Sequence, residues 1–428
     1  MNIKADIAVA GGGPAGLVAA ALFALQGRKV VLISGAQPST HDPRTVALMQ
    51  PSVRLLAHLG VWPGALKAQL SPLKRLRMVD DTQGRFQAPT LTFDAAEIGE
   101  QEFGWNFPLV LLVPALAARA RELGVVCVDA DVTDADPGSE TVALKTAQGV
   151  IEARLAIAAD GRHSVLREAA GIRVRRWAYP QAALATSFDH SSWHDGISTE
   201  YHKASGPFTT VPLPGNRSAL VWMERPQRAA ELLAMPDDEL ATEIQLASHG
   251  DLGRASGIGP RRVFPMEGQI ADTFARRRTL LVGETAHVVP PIGAQGLNMS
   301  LRDAAQAAEL IEGLDDPGAD ESLEDYSALR RRDVLPRQQV IDGMNHSLLS
   351  HDSVLAAGRA FGLELLSTVG PLRRAMMRRG LGPVHTLPRM MQGHAKERQG
   401  EVRDSGHDDS ANVPLPLPIG PSLGNQGA

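Results

Sequence analysis

Gly11, Gly13 and Gly16 stand near the start of the chain in the spacing G-x-G-x-x-G, within the run GGGPAG. Glycines so placed allow a tight turn (Gly11), a close approach of backbone to a pyrophosphate (Gly13) and close packing of helix on strand (Gly16). Pro14 and Ala15 open the helix that follows, and the free N–H groups and positive end of such a helix favour phosphate. A dinucleotide cradle is the chemistry this spacing supports. A second dense stretch lies far along the chain, at 283–304, and reads GETAHVVPPIGAQGLNMSLRDA. Between the two stands ADGRHSVLR at 159–167. There Asp160 and Gly161 offer a carboxylate and a tight turn, and Ser164 offers an N-cap for a helix from Val165.

The elements around the glycines fit the cradle. Asp6–Ala10 reads as a short buried strand, Pro14–Gln26 as an apolar helix stopped by Gly27, and Val30–Ile33 as a strand parallel to the first. An acidic residue about 20 positions past the glycines usually grips a ribose hydroxyl. Ser34 stands there instead, and a hydroxyl makes a weaker hydrogen bond than a carboxylate. Further on, Pro114 suits the first turn of a helix that ends before Gly124, and strands are expected at 125–128, 132–134, 141–145 and 155–159.

From 180 to 270 the segments shorten and become rich in Thr, Val, Phe and Trp. Residues 206–213, 218–223 and 262–266 read as strands of a separate sheet, interrupted by a helix at 237–248. The strand 279–282 returns to the first sheet. After Gly296, the recurrence of Leu301, Ala304, Ala305, Ala308 and Ile311 marks a helix with one small apolar face. Helices follow at 321–346 and 351–380, with Pro336 as a kink or break, and from 394 the composition is that of a disordered tail. The expected fold is α/β: a Rossmann-like domain made of 1–180 and 268–320, an inserted mixed or antiparallel β-sheet at 181–267, a helical region at 321–393 and the tail 394–428.

Composition narrows the function classes. The 428 residues suit two or three domains, and 43% apolar with 21% charged residues is ordinary for a soluble globular enzyme. A net charge of −5 gives no reason to expect nucleic acid as a partner. Cys127 is the only cysteine, which excludes an intramolecular disulfide and cysteine-rich metal sites. It is expected to be a small buried side chain, in keeping with a reducing compartment. No export signal and no run of ~18 apolar residues is found, so a cytoplasmic location is expected, with attachment to the inner membrane surface left open.

Together these motifs resemble the flavoprotein aromatic hydroxylases related to para-hydroxybenzoate hydroxylase. The resemblance spans 5–390 and rests on GGGPAG, Asp42-Pro43-Arg44, ADGRHSVLR and GETAHVVPPIGAQGLNMSLRDA, in that order. Within that family the chain is most similar to the ubiquinone-biosynthesis hydroxylases. GPFTTVPL, the Phe-Pro-Met of 264–266 and IDGMNHSLL…GRAFGLELLSTVGPLRRAMMRRGLG carry that narrower match.

The resemblance implies non-covalent FAD. It places Arg44 along the ribitol and phosphates, Asp160 and Gly161 near the pyrophosphate, and Glu284 at a ribitol hydroxyl, where the family usually has Asp. Val132 is counted among the cofactor contacts. Pro291, Gly293, Ala294, Gln295, Gly296, Leu297 and Asn298 run along the flavin ring, with backbone N–H groups toward its pyrimidine edge. Reduction places negative charge on that edge, and a helix N-terminus favours such charge by roughly 0.3–1 kcal/mol. The family commonly has a polar residue just before the helix begun here at Pro114, where this chain has Val113. With Ser34, that makes two lost polar contacts.

The implied reaction is hydroxylation of a polyprenylated phenol or related quinone precursor through a flavin C4a-hydroperoxide. That chemistry needs a dry, shaped site and no protein nucleophile, so no residue is assigned a catalytic role. NAD(P)H or another external donor would bind transiently, because no second G-x-G-x-x-G exists. Phe208, Val211, Leu213 and Trp222 are available for an apolar substrate wall. His287 serves packing at least as readily as proton transfer, and nothing in the sequence points His202 inward. The segment LRRAMMRRG at 372–380 reads first as a solvated helix with an apolar seam, and second as an attachment to anionic membrane or to a partner in a quinone-biosynthesis complex. The competing function is a catalytically weak accessory subunit of such a complex, which the departures at Ser34 and Val113 would favour.

Overall fold

The computed structural model describes residues 2–35, 41–82, 88–350, 353–381 and 387–393. The expected tail at 394–428 lies outside them. The strand Asn2–Ala10 is the centre of the first sheet, parallel to Val30–Ile33 on one side and to Gly149–Ala158 on the other. Val126–Val128 and Thr279–Leu281 extend it in parallel, so the return of 279–282 to this sheet is observed. Val132–Pro137 and Val142–Thr146 add an antiparallel flap. The inner strands are continuously apolar over Ile7–Ala10, Val30–Ile33 and Leu155–Ala158, where helices cover the sheet. Ile7, Val9, Val31, Leu155 and Ile157 are fully enclosed.

The helix Pro14–Leu25 packs on Gln295–Leu310. The recurring Leu301, Ala304, Ala305 and Ala308 are wholly buried there, and their small side chains let the two helix backbones lie close together. Gly11 shows why the first turn tolerates no side chain. It sits at φ +113°, and a Cβ on it would lie 2.1 Å from the Ala159 carbonyl oxygen. A Cβ on Gly16 would in turn meet the Gly11 carbonyl oxygen at 2.0 Å. Strand end, turn and helix start are thus fitted backbone to backbone.

Among the described residues the second sheet has nine strands. Its long central strand, Val174–His190, pairs antiparallel with Arg217–Glu224 and with Arg262–Ala271. Gly206–Leu213 and Ile197–Lys203 continue the antiparallel order. Arg75–Asp81 then joins Ile197–Lys203 in parallel, followed by Leu91–Asp94. This sheet therefore reaches outside 181–267, taking strands from the N-terminal part of the chain. Its outer face carries Leu184, Phe188, Tyr201, Phe208, Leu220 and Trp222, packed with Leu232, Leu240 and Ile244 from the helices Pro226–Ala234 and Asp237–Ala247. Both sheets belong to one unit.

Several expectations change in detail. The helix expected to start at Pro114 runs Leu109–Glu122 with Pro114 inside it, because the apolar Leu109, Leu112, Val113 and Leu116 extend its buried stripe toward the N-terminus. Pro336 does not divide its helix, which is continuous over Asp320–Leu349, whereas the expected 351–380 helix is two, Ser353–Thr368 and Gly370–Leu381. Cys127 is exposed instead of buried. It lies on Val126–Val128, which among the described residues is the end strand of its sheet, with no neighbouring strand on one side.

Candidate active site

A cavity of about 810 Å³ opens between the first sheet and the inner face of the second. At one end it is walled by Gly11, Gly13, Pro14 and Ala15, then by Ser34, Arg44, Val132, Asp160, Gly161 and Glu284. Pro291, Gly293, Ala294, Gln295, Gly296 and Leu297 form its middle. Three distant segments are therefore brought together as their motifs suggested. Gly16 and Asn298 stand behind the wall instead of on it. Gly16 is the packing contact described above. Asn298 is a brace: its Oδ1 accepts from Met49 N–H (2.9 Å) and Ser52 Oγ (2.7 Å), and its Nδ2 donates to the Ala47 and Ala294 carbonyls (2.8 and 2.7 Å).

The polar groups on the wall are not equivalent. Asp160 accepts from Val165 N–H at 3.1 Å through one oxygen, while its buried Oδ1 has no partner among the described residues. Burial raises its carboxyl above the usual range. Arg44 is paired with Asp42 through Nε–H bonds of 2.9 and 3.1 Å, and this raises its already high pKa. Its guanidinium lies over the Phe264 ring, 5.3 Å from the centroid. Glu284 is tied to Arg162 at 3.1 Å, which also reaches Glu267 at 3.3 Å.

Space over the glycines is left free. A Cβ on Gly13 or Gly296 would meet no atom within 4 Å, so the chain itself does not need glycine there. Gly293 and Ala294 take left-handed conformations (φ +62° and +54°), turning the backbone into the helix Gln295–Leu310. Beneath this loop His287 is buried, its Nε2 2.7 Å from Asp303 Oδ2. Asp303 also accepts from Gly283 N–H and Arg330, and Arg330 and Arg302 both pair with Asp333. His287 is thus one end of an ionic network that fixes the loop to two helices.

Val113 is not the position facing the cavity. It is buried in the main core, and Leu109, the first residue of that helix, lines the wall instead. The change follows from the earlier start of the helix. Ser34 has a neighbour that sequence spacing did not reveal. Asp131 lines the cavity beside it, and its Oδ1 accepts from Gly35 N–H at 3.3 Å. A carboxylate therefore does stand at the end of the second strand, supplied from a different turn.

The inner face of the second sheet presents Ala183, Ala185, Ser198, Glu200, Thr209, Val211, Ala219 and Val221. Of the four expected wall residues only Val211 is among them, and strand alternation explains the loss of Phe208 and Trp222. Phe208 and Trp222 point to the opposite face, and Leu213 packs with Val211 and Ala219. The strand Ile197–Lys203 was not expected from the sequence, so Ser198 and Glu200 were missed. Their signal is the alternation Ser198, Glu200, His202 against Thr199, Tyr201, Lys203.

A family profile described as FAD binding domain matches residues 4–340. The chain belongs to the para-hydroxybenzoate hydroxylase-like FAD-dependent hydroxylases. Such proteins are flavin-dependent monooxygenases, and the resemblance noted in the motifs is correct. Ubiquinone hydroxylase UbiL of Rhodospirillum rubrum is 32% identical over 404 residues, 91% of this chain and 93% of that protein. The 3-demethoxyubiquinol 3-hydroxylase of Escherichia coli K12 is 28% identical, over 89% of this chain and 99% of that one. Among solved structures, p-nitrophenol 4-monooxygenase of Pseudomonas putida superposes with a TM-score of 0.72 at 19% identity, covering 90% of this chain and all of that one. Its likeness concerns the fold. Among the described residues of this hydroxylase, no helix is long and apolar enough to cross a membrane.

Proposed function

We propose that this monooxygenase hydroxylates the aromatic ring of a polyprenylated phenol or quinone precursor in ubiquinone biosynthesis. The observation that carries the reading is the continuous cavity, which runs from the glycine cradle to a sheet face of small side chains. Whole-length relatedness to two hydroxylases named for ubiquinone chemistry supports it. The accessory-subunit alternative loses its ground, since Val113 lies off the wall and Asp131 stands beside Ser34.

The residues present fit FAD. Gly11, Gly13, Pro14 and Ala15 would take the pyrophosphate, with Gly16 holding the helix against the strand. Ser34, Asp131 and Val132 would hold the adenosine end. Arg44, Asp160, Gly161 and Glu284 would serve the phosphates and ribitol, and Asp160 Oδ1 is a buried acceptor awaiting a hydroxyl donor. Pro291 to Leu297 would lie along the ring, with Asn298 bracing the loop. The flavin, reduced by NAD(P)H or another external donor, supplies the activated oxygen. The chain's own work is to exclude water, hold the ring and bind the tail. Small residues on the sheet leave room for hydrocarbon, worth about 0.8 kcal/mol per CH₂ buried, so the prenyl chain supplies most of the affinity.

We also infer peripheral attachment to an anionic membrane. On the last two α-helices Val354, Phe361, Leu365, Leu372 and Met376 are exposed, and so are Arg378 and Arg379. Arg373 and Met377 on the same helix turn inward, to Glu97 and to an apolar cluster. Sedimentation with anionic vesicles, and not with neutral ones, is the expected result.

Deleting the gene in a cell that makes ubiquinone is expected to accumulate a prenylated, under-hydroxylated intermediate. Unchanged quinone content, with no such intermediate and no redundant hydroxylase, would defeat the substrate assignment and leave the flavoprotein standing.

A further inference from the structure

We infer that Glu200, oriented by His202, is the acceptor for the free hydroxyl on the ring being hydroxylated. The inference rests on the proposed phenolic substrate and adds the residue pair that recognises it.

Alternation along Ile197–Lys203 puts Ser198, Glu200 and His202 on the inner face of the second sheet. Register places Glu200 opposite Thr209 on one side and Met78 on the other, and Thr209 opposite Val221. Glu200, Thr209 and Val221 all line the cavity. Arg77 and Lys203 are spent on the other face, pairing with Asp251 and Asp81, and Arg359 is held by Asp80, the residue opposite His202. Ser198 is also occupied, its Oγ donating to the Thr210 carbonyl at 2.9 Å. Glu200 is therefore a carboxylate in a wall otherwise made of small and apolar side chains.

Its only hydrogen-bond or ion-pair partner among the described residues is His202, whose Nε2 lies 2.7 Å from Oε1. Oε2 is left to the cavity. His202 is 2% exposed, and its Nδ1 is buried with no partner among the described residues. An unpaired buried nitrogen is costly, and a packing role alone would be better filled by an apolar side chain. What the imidazole does here is hold one oxygen of Glu200, so that the other faces the ligand in a fixed direction. In a low-dielectric pocket a carboxylate aimed at a phenolic O–H makes a strong, charge-assisted bond. Such a bond increases electron density on the ring, which favours attack on an electrophilic oxygen, and it selects ligands with a free hydroxyl. Glu200 is then the group that touches substrate, and His202 is a positioning residue. A site built to hydrogen-bond a hydroxyl rejects the analogue lacking it, because the polar group is left unpaired.

The test uses the FAD-loaded enzyme and two probes, ortho-geranylphenol and its methyl ether, with binding read from the perturbed flavin absorbance. The wild type is expected to bind the phenol at least about tenfold more tightly than the ether, the ratio typical of a hydrogen bond to a charged group. Glu200→Gln is expected to lower that ratio at least threefold with flavin content unchanged. His202→Gln should lower it less, which a merely structural role would not do selectively. If Glu200→Gln does not fold, Glu200→Asp gives the same reading, since it keeps the charge but withdraws the carboxylate by one methylene. A wild-type ratio near one, or an unchanged ratio in the folded Glu200 variant, overturns the inference. Binding of neither probe by the wild type instead overturns the prenylated-phenol reading, and the hydroxyl site with it.

Discussion

At one end of the cavity the wall is made of backbone, and across the second sheet it is made of side chains spaced two apart. The cradle end depends on what is missing: a Cβ on Gly11 would strike a carbonyl oxygen, and Gly13 and Gly296 leave open space toward the cavity. The sheet end depends on which of two alternating sets turns inward, Ser198–Glu200–His202 or Thr199–Tyr201–Lys203. Backbone recognition needs particular residues at particular positions, so it leaves a motif. A pleated wall needs only small side chains in the right parity, and many sequences satisfy that. The difference also separates their tasks, since a constant cofactor suits the first kind of site and a variable substrate the second.

The largest expected effect comes from breaking the backbone end outright. Gly11→Val combines a left-handed φ with a clash against Ala159, and should cost about 4 kcal/mol or more. Soluble yield and thermal unfolding check this, and a variant as stable as the wild type would mean that the turn is built otherwise. Gly296→Val sharpens the comparison, because its side chain would enter open space instead of the core. Folding stability is expected to stay within about 1 kcal/mol of wild type, while FAD affinity falls at least about tenfold. Parallel melting and flavin-titration curves separate the two quantities.

A smaller effect is expected at Asp131. Exchanging it for Asn keeps a hydrogen-bonding side chain but removes the charge, which should weaken FAD binding by about fivefold and leave the melting temperature of the apoprotein unchanged. Unaltered affinity would show that Ser34 holds the adenosine end without it. An effect of similar size concerns the network beneath the 291–297 loop. Burial alone would raise the Asp333 carboxyl, but Arg302, Arg330 and Arg337 carry it down to about 2. A depressed carboxyl contributes stability above its unfolded pKa, near 4, and loses it as pH falls through the folded value. About 1–2 kcal/mol should therefore disappear between pH 4 and pH 2, measured by denaturant unfolding, and Asp333→Asn should flatten that dependence.

What was legible in the sequence follows the same division. The strand–turn–helix at 2–25, the tight turn at Gly11, the close packing at Gly16 and the helix after Gly296 each carry a local signature, and the structure has them within a few residues. The long strand Val174–His190 lacks one, since consecutive residues are buried over 181–186, and the alternation in Ile197–Lys203 is a weak one, because both of its sets are largely polar and pair only in three dimensions. Asp131 could not be assigned to the ribose position by spacing, since it reaches Gly35 from a turn 96 residues later. Pro114 misled in the other direction. Proline marks helix starts on average, but here the buried stripe of Leu109, Leu112 and Val113 was the stronger determinant.

The central claim is that the backbone-walled end of the cavity holds FAD without a covalent bond. Flavin content of the purified protein, followed by titration of the apoprotein with FAD, tests it most directly. A yellow protein whose flavin is released on denaturation, and regained stoichiometrically on titration, is the expected result. A colourless protein that acquires no flavin spectrum on incubation with FAD would contradict the account.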